Sequence, residues 1–118
     1  SVDKVADSHD LIGSGGVFAV NILAEDQEHL SVILSQKGTA ELDAAHRLEG
    51  IKYTKTATGA PILYGIHAFL DCKVINTIDA GDHTIYIGQI EDTGWGEDTL
   101  PLLYHRGEYG HFNYHEKP

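Results

Sequence analysis

The stretch from His67 to Ile90, which reads HAFLDCKVINTIDAGDHTIYIGQI, constrains the fold of this chain most strongly. Up to Ile78, alternate positions form one mostly apolar set (Ala68, Leu70, Cys72, Val74 and Ile78) and one mixed set (Phe69, Asp71, Lys73 and Thr77). This period of two predicts a β-strand with one apolar face. Turn-forming residues follow at 79–82, and a second β-branched run begins at Thr84. The sequence therefore predicts a long antiparallel hairpin that places His83 at the rim of a sheet, where ligands bind.

Size and composition indicate one ordinary globular domain. The chain has 118 residues, of which 42% are hydrophobic and 22% are charged. A formal net charge of −10 argues against nucleic acid and anionic membrane surfaces as partners, because both would repel it. Its single cysteine, Cys72, falls on the apolar strand face and is interpreted as a buried structural thiol. We see no signal peptide or membrane span, and a cytoplasmic setting is the default expectation.

Other segments give a coarse order of elements. The pattern predicts a strand end at Ser1–Lys4, then a short helix that Asp7 or Ser8 caps and that the glycines at 13–16 end. Further predicted elements are a strand at Val17–Leu23 covered on both faces, helices at Glu25–Gln36 and Thr39–Glu49, strands at Ile51–Thr58 and Pro101–Tyr104, an exposed loop at Glu91–Leu100, and a poorly fixed tail from His105.

Motifs for several chemistries are missing. The chain has no Gly-x-Ser-x-Gly, no Cys-x-x-Cys, no His-Glu-x-x-His and no dinucleotide fingerprint. The glycine cluster at 13–16 lacks the Gly-Lys-Ser/Thr ending of a phosphate loop, so it is interpreted as a helix terminator. The eight histidines include one pair at helical spacing, His111 and His115, so a histidine-rich metal-binding domain stays open as an alternative.

Three runs carry a resemblance to a known family: D-A-G-D-H-T-I-Y-I-G-Q-I at 79–90, P-L-L-Y-H-R-G-E-Y at 101–109, and G-V-F-A-V-N-I-L-A-E-D-Q at 16–27. They resemble the flavin reductase-like FMN-binding split-barrel family. The resemblance implies a mainly β fold with short helices, an antiparallel split β-barrel spanning residues 1–109, and a polar aromatic tail at 110–118. It also implies that the family's N-terminal strands are absent. Since the chain begins at Ser1 and has no methionine, we expect a fragment, a processed form or a shortened expression product.

The resemblance also implies a function. Such a domain binds FMN non-covalently, takes electrons from NADH or NADPH, and passes them to free flavin, iron or a protein acceptor. The flavin carries the redox chemistry itself, which is consistent with the missing nucleophile motifs. A homodimer is expected. A binding or assembly module without activity remains an alternative, because strands that supply much of the FMN pocket in the family are not found in this sequence.

Site residues follow from the same resemblance. Lys4, Ser8 and His9 would approach the FMN phosphate, with simple helix capping as the alternative. The family often has an Asp-Lys-Phe triplet whose lysine reaches the flavin. This chain has His46-Arg47-Leu48 there, so Arg47 would take the place of that lysine, and is otherwise a surface arginine. His83 would lie beside the flavin and the nicotinamide, or else would only close the hairpin. Tyr104 would border the ring, and Arg106 would donate to a phosphate or carboxylate.

Overall fold

A computed structural model of the chain describes residues 1–36 and 48–117. Within these ranges it contains two helices, α1 (Asp7–Gly15) and α2 (Glu28–Ser35), and eight strands. The strands are β1 (Val2–Asp3), β2 (Val17–Ile22), β3 (Tyr53–Lys55), β4 (Pro61–Leu63), β5 (Ala68–Ala80), β6 (His83–Trp95), β7 (Leu102–His105) and β8 (Glu108–His111). The predicted helix at Thr39–Glu49 falls almost wholly outside the described residues.

All strand pairings are antiparallel. The main sheet has the order β1-β6-β5-β2, and β3-β4 and β7-β8 form separate two-stranded sheets. An isolated bridge between Ala24 and Pro101 joins the end of β2 to the start of β7. The predicted mainly β, antiparallel fold with short helices is confirmed. Among the described strands the main sheet is open and does not close into a barrel.

The predicted hairpin is β5 and β6, each 13 residues long. Ala80 pairs with His83 across a two-residue turn in which Gly81 has a φ of +67° and Asp82 does not have a positive φ, the pattern of a type II′ turn. Register shifts at Asp71/Cys72 and Val74/Asn76 mark β-bulges. The prediction that residues 91–95 are loop is wrong. They extend β6 because β5 begins as early as Ala68 and offers them backbone partners.

Both helices differ from prediction at their ends. Neither Asp7 nor Ser8 caps α1; the cap position is Ala6, without a side-chain hydrogen bond, and Gly16 at φ +72° ends the helix. The α2 helix starts at Glu28 rather than Glu25. Gln27 is responsible, because its buried side chain accepts from the Ala24 backbone N–H and donates to the Tyr64 carbonyl. These two bonds hold residues 24–27 as a turn.

The predicted double coverage of β2 is also wrong. Val20 and Ile22 remain 41% and 40% exposed, since the core lies against the other face of this strand. Within the described ranges the core cluster consists of the buried residues Ile62, Leu63 and Ile66, and apolar groups from β2, α2 and β5 pack around them. Asn21 fixes β4 to β2 by donating to the Pro61 carbonyl at 3.1 Å and accepting from the Leu63 N–H at 2.9 Å.

Asp71 belongs to the mixed set of β5 positions, yet it is fully buried at 0% exposure. The loop between β3 and β4 covers it. Its carboxylate accepts hydrogen bonds from the Thr56 hydroxyl at 2.8 Å, the Thr58 N–H at 2.9 Å and the Thr58 hydroxyl. Burial alone would raise the pKa of Asp71, but the bonds from Thr58, Thr56 and the Ala57 backbone outweigh it and hold the pKa below its ordinary value.

We expect Gly88→Ala to destabilise the fold by about 2 kcal/mol, because overpacking a filled site costs roughly 1–3 kcal/mol. A Cβ at Gly88 would lie 2.5 Å from the Phe18 ring and 2.9 Å from the Cys72 Cβ. Urea unfolding at 25 °C measures the difference. Gly110→Ala is the matched control, since a Cβ there meets nothing within 4 Å. Equal midpoints for the two variants would contradict the close packing described at Gly88.

We expect Asp71→Asn to cost about 3 kcal/mol, because an amide nitrogen cannot accept the bonds that one carboxylate oxygen now accepts. Thr56→Val, which removes one donor, should cost about 1 kcal/mol. The pKa of Asp71 is lower in the folded state than in the unfolded state. Its contribution to the free energy of unfolding is therefore complete above about pH 5 and is lost as pH falls through the folded pKa.

Urea midpoints measured between about pH 3 and 7 should therefore fall less steeply in acid for Asp71→Asn than for the wild type. Asp26→Asn, at an exposed aspartate, is the matched control and should keep the wild-type slope. A parallel pH profile for Asp71→Asn would show that this carboxylate is not linked to folding.

Candidate functional site

The start of α1, the short β1 strand and the β5–β6 turn meet at one end of the main sheet. Val2 pairs with Thr84 and Asp3 with His83, and the Lys4 backbone N–H donates to the Asp82 carbonyl at 2.9 Å. These pairings bring three of the predicted site residues, Lys4, His9 and His83, to the same end of the sheet.

His9 fixes α1 to β6. Its Nε2 lies 2.7 Å from the Thr84 hydroxyl and its Nδ1 lies 2.9 Å from the Asp10 carboxylate. The Tyr86 hydroxyl donates to the His9 carbonyl at 3.0 Å, and the two rings lie 5.9 Å apart. Because both ring nitrogens are engaged, His9 would have to give up one of these bonds before it could contact a phosphate. Its predicted role in phosphate binding stays a prediction.

Lys4 forms an ion pair with Asp79, at the end of β5. The hydrogen bond and the positive charge of Lys4 hold the pKa of the Asp79 carboxyl below its ordinary value. Asp79 is the cross-strand partner of Thr84, so the two side chains share the face on which His9 binds. Lys4 therefore reaches across the turn to that face.

His83 lies on the opposite face. It follows Asp82 and precedes Thr84, and successive strand residues point to opposite sides of a sheet. Its Nδ1 lies 2.8 Å from the Asp82 carboxylate, and its side chain is 40% exposed. The hydrogen bond and charge of His83 lower the pKa of the Asp82 carboxyl. The imidazole is thus accessible, as its predicted role requires, and it is paired with a carboxylate.

A cleft of about 530 Å³ lies between α1 and the C-terminal end of α2. Its wall is mostly apolar, and Asp3, Asp7, Ser8, Ser35 and Gln36 give it polar groups. The other lining residues are Val5, Ala6, Leu11, Leu34 and Leu48. Val5 and Leu11 are 72% and 55% exposed, although both are large and apolar. Ser8 is the predicted site residue that lines this cleft. The cleft was not predicted from sequence. Its signal was two apolar residues in a polar segment, Val5 just before α1 and Leu11 on α1.

The remaining predicted residues lie elsewhere. Tyr104 is 66% exposed and packs edge-on against Tyr109, whose hydroxyl lies 2.8 Å from that of Ser31 on α2. Arg106 occupies the β7–β8 turn with a φ of +50°. In the described ranges, no hydrogen bond or ion pair joins either residue to Lys4, His9 or His83. Arg47 falls outside the described residues, and the roles of all three stay predictions.

Other reactive groups contribute little to this end of the sheet. Cys72 is 4% exposed, as predicted, and burial followed by the charge of Asp71 raises the pKa of its thiol. In the part of the chain that the structure describes, no three His, Cys, Asp or Glu side chains cluster closely enough to hold a metal ion. Neither described helix is long and apolar enough to span a membrane.

Comparison with known proteins adds independent findings. The profile of the family described as "Flavin reductase like domain" matches residues 1–113. The chain is 33% identical over 106 residues to the reductase subunit HsaB of a flavin-dependent monooxygenase from Rhodococcus jostii, covering 90% of this chain and 51% of that protein. It is 32% identical over 94 residues to an NADH-dependent flavin reductase from a Rhodococcus species, covering 80% and 48% respectively.

A solved structure shows the same fold. Nitrilotriacetate monooxygenase component B from Mycobacterium thermoresistibile superposes with a TM-score of 0.81 at 32% identity, covering 95% of this chain and 60% of that one. The chain spans about half the length of most of the curated relatives it matches, and the share ranges from 33% to 61%.

Proposed function

Because the chain belongs to the flavin reductase-like domain family, we propose that it acts in the reduction of a bound flavin, FMN, by NADH or NADPH. The match of residues 1–113 to the family profile carries this proposal. The relative from a Rhodococcus species, named as an NADH-dependent flavin reductase, supports NADH as a donor. When bound, the flavin supplies the redox chemistry by accepting hydride from the nicotinamide and passing the electrons on.

The cleft between α1 and α2 suits such a ligand. Its volume of about 530 Å³ falls in the range of small-molecule pockets, roughly 300–1,000 Å³. Its apolar wall, with Leu11, Leu34 and Leu48, would exclude water and take a flat ring system. The Ser8 hydroxyl and the uncapped start of α1 would give hydrogen-bond donors to a phosphate. The apolar wall fits the ring of a flavin. Asp3 and Asp7 also line the cleft, so a phosphate at the helix start would need a cation such as Lys4 beside it.

His83 would act on the ring rather than on the phosphate. Its accessible imidazole can donate a hydrogen bond to the electron-rich reduced ring. Asp82 would keep the imidazole oriented through Nδ1. Tyr104 and Arg106 would border the nicotinamide or flavin only if the β7–β8 hairpin approaches the cleft in the complex. No protein nucleophile is required for hydride transfer.

The name of one relative supports a proposal for the electron acceptor. The Rhodococcus jostii protein is named as a reductase subunit of a flavin-dependent monooxygenase. We infer that the reduced flavin made here would serve a monooxygenase partner, with free flavin or iron as other acceptors. A homodimer is our expectation for the assembly.

We expect FMN titration to quench flavin fluorescence and shift the visible spectrum, and anaerobic NADH or NADPH to bleach the bound flavin. Leu11→Glu should weaken FMN binding at least ten-fold, because it places a carboxylate on the apolar wall of the cleft. The residue is more than half exposed, so folding should tolerate the change.

Val32→Glu is the matched control, since Val32 is a 44% exposed apolar residue on α2 that does not line this cleft. Equal loss of FMN affinity in both variants would argue against the cleft as the flavin site. FMN binding without reduction by either nicotinamide would instead favour a non-catalytic flavin-binding module.

We expect His83→Ala to slow reduction of bound flavin roughly ten-fold, because the reduced ring loses one charge-assisted hydrogen bond from the imidazole. The affinity for FMN should change little. Stopped-flow absorbance under anaerobic conditions measures the rate. His29→Ala, an exposed histidine on α2, is the matched control and should keep the wild-type rate. An unchanged rate for His83→Ala would remove His83 from the mechanism.

A further inference from the structure

Lys4 is an exception within its own segment. The run from Asp3 to Ser8 lines the cleft at five of six positions, and the remaining residue is Lys4. Its ammonium is instead paired with Asp79 on β5, on the face of the sheet that carries Thr84. The one cation of this run is therefore held away from the cleft by a carboxylate of the hairpin.

Among the described residues, no positively charged side chain lines the cleft. Among the described residues that line it, the charged side chains are Asp3 and Asp7, which are both acidic. Two carboxylates oppose an anion, and the start of α1 alone offers only a partial positive charge. A phosphate that binds at Ser8 would thus gain most from a neighbouring ammonium, and Lys4 lies on the same short segment.

Resting on the function proposed above, we propose that Asp79 is a specificity-determining residue that competes with the flavin phosphate for Lys4. The phosphate of FMN displaces the Asp79 carboxylate as the partner of the Lys4 ammonium. Riboflavin has no phosphate and leaves the Lys4–Asp79 pair intact. Asp79 therefore weakens FMN binding selectively and sets how strongly this site prefers FMN over riboflavin.

The pair is suited to exchange. The Lys4 and Asp79 side chains are 38% and 78% exposed, and an ion pair of that kind contributes little to stability. A lysine side chain is long and flexible, so its ammonium can move without the backbone. A phosphate monoester carries a charge of about −1.5 to −2 at neutral pH, more than one carboxylate, and so can outcompete Asp79.

The test compares Kd values for FMN and riboflavin, by fluorescence titration at low salt, in the wild type and in Asp79→Asn. FMN should bind about three-fold more tightly to Asp79→Asn, the effect of one exposed ion pair, while riboflavin affinity stays constant. Raising the salt to about 1 M should abolish the difference, because the Debye length then falls to about 3 Å. A merely structural effect of the substitution would not depend on the phosphate or on salt.

Two further variants locate the effect. Glu97→Gln also removes one negative charge, but Glu97 lies beyond Trp95, about 40 Å from Asp79 along the hairpin. This variant should leave the affinities for FMN and riboflavin unchanged. Lys4→Gln should weaken FMN binding and should abolish most of the gain when combined with Asp79→Asn. Thermal unfolding checks that each variant is folded, and Asp79→Ser repeats the measurement if Asp79→Asn is not.

An FMN affinity that is unchanged or weaker in Asp79→Asn overturns the inference, as does an equal gain for riboflavin or a full gain in the Lys4→Gln background. In those cases the wild type still binds FMN, and the proposed function stands. A wild type that binds neither flavin overturns both.

Discussion

The antiparallel ladder between β5 and β6 is the constraint on which the rest of the structure depends. It extends from the Ala68–Trp95 pair to the Ala80–His83 pair, and every other strand of the main sheet pairs with one of its two edges. Its tight type II′ turn fixes the register, so residues far apart in sequence meet at defined positions. The turn end gathers β1 and α1, and the other end receives the segment that leads to β7.

Buried polar side chains join the elements around the apolar core of the described residues. Asp71 ties the β3–β4 loop to β5, Asn21 ties β4 to β2, and Gln27 ties the start of α2 to Tyr64. Each of these groups is buried or partly buried and hydrogen-bonded, which is the condition under which a buried polar group does not destabilise a fold. The start of α2 and the β3–β4 hairpin are therefore held in place by specific hydrogen bonds in addition to apolar packing.

Several site features could be predicted from sequence. The alternation in 68–78 and the Gly81-Asp82 turn placed His83 at the rim of the sheet, and the accessible imidazole there agrees. The partners of the candidate residues could not be predicted. Lys4 and Asp79 are 75 residues apart, as are His9 and Thr84, and neither local periodicity nor turn chemistry links positions so distant. The cleft was missed for the same reason, because α1 and α2 supply one wall each.

By itself the sequence determined the strand periodicity, the hairpin turn, the glycine end of α1 and the family, because each depends on neighbouring residues or on a local motif. Only the tertiary structure decided which side chains are buried and which charges are paired. Asp71 stands in an alternating strand like any exposed aspartate, yet the β3–β4 loop covers it. Lys4 follows β1 like any surface lysine, yet the hairpin turn brings Asp79 to it. Burial and ion pairing depend on contacts between distant segments, and these exist only once the sheet has formed.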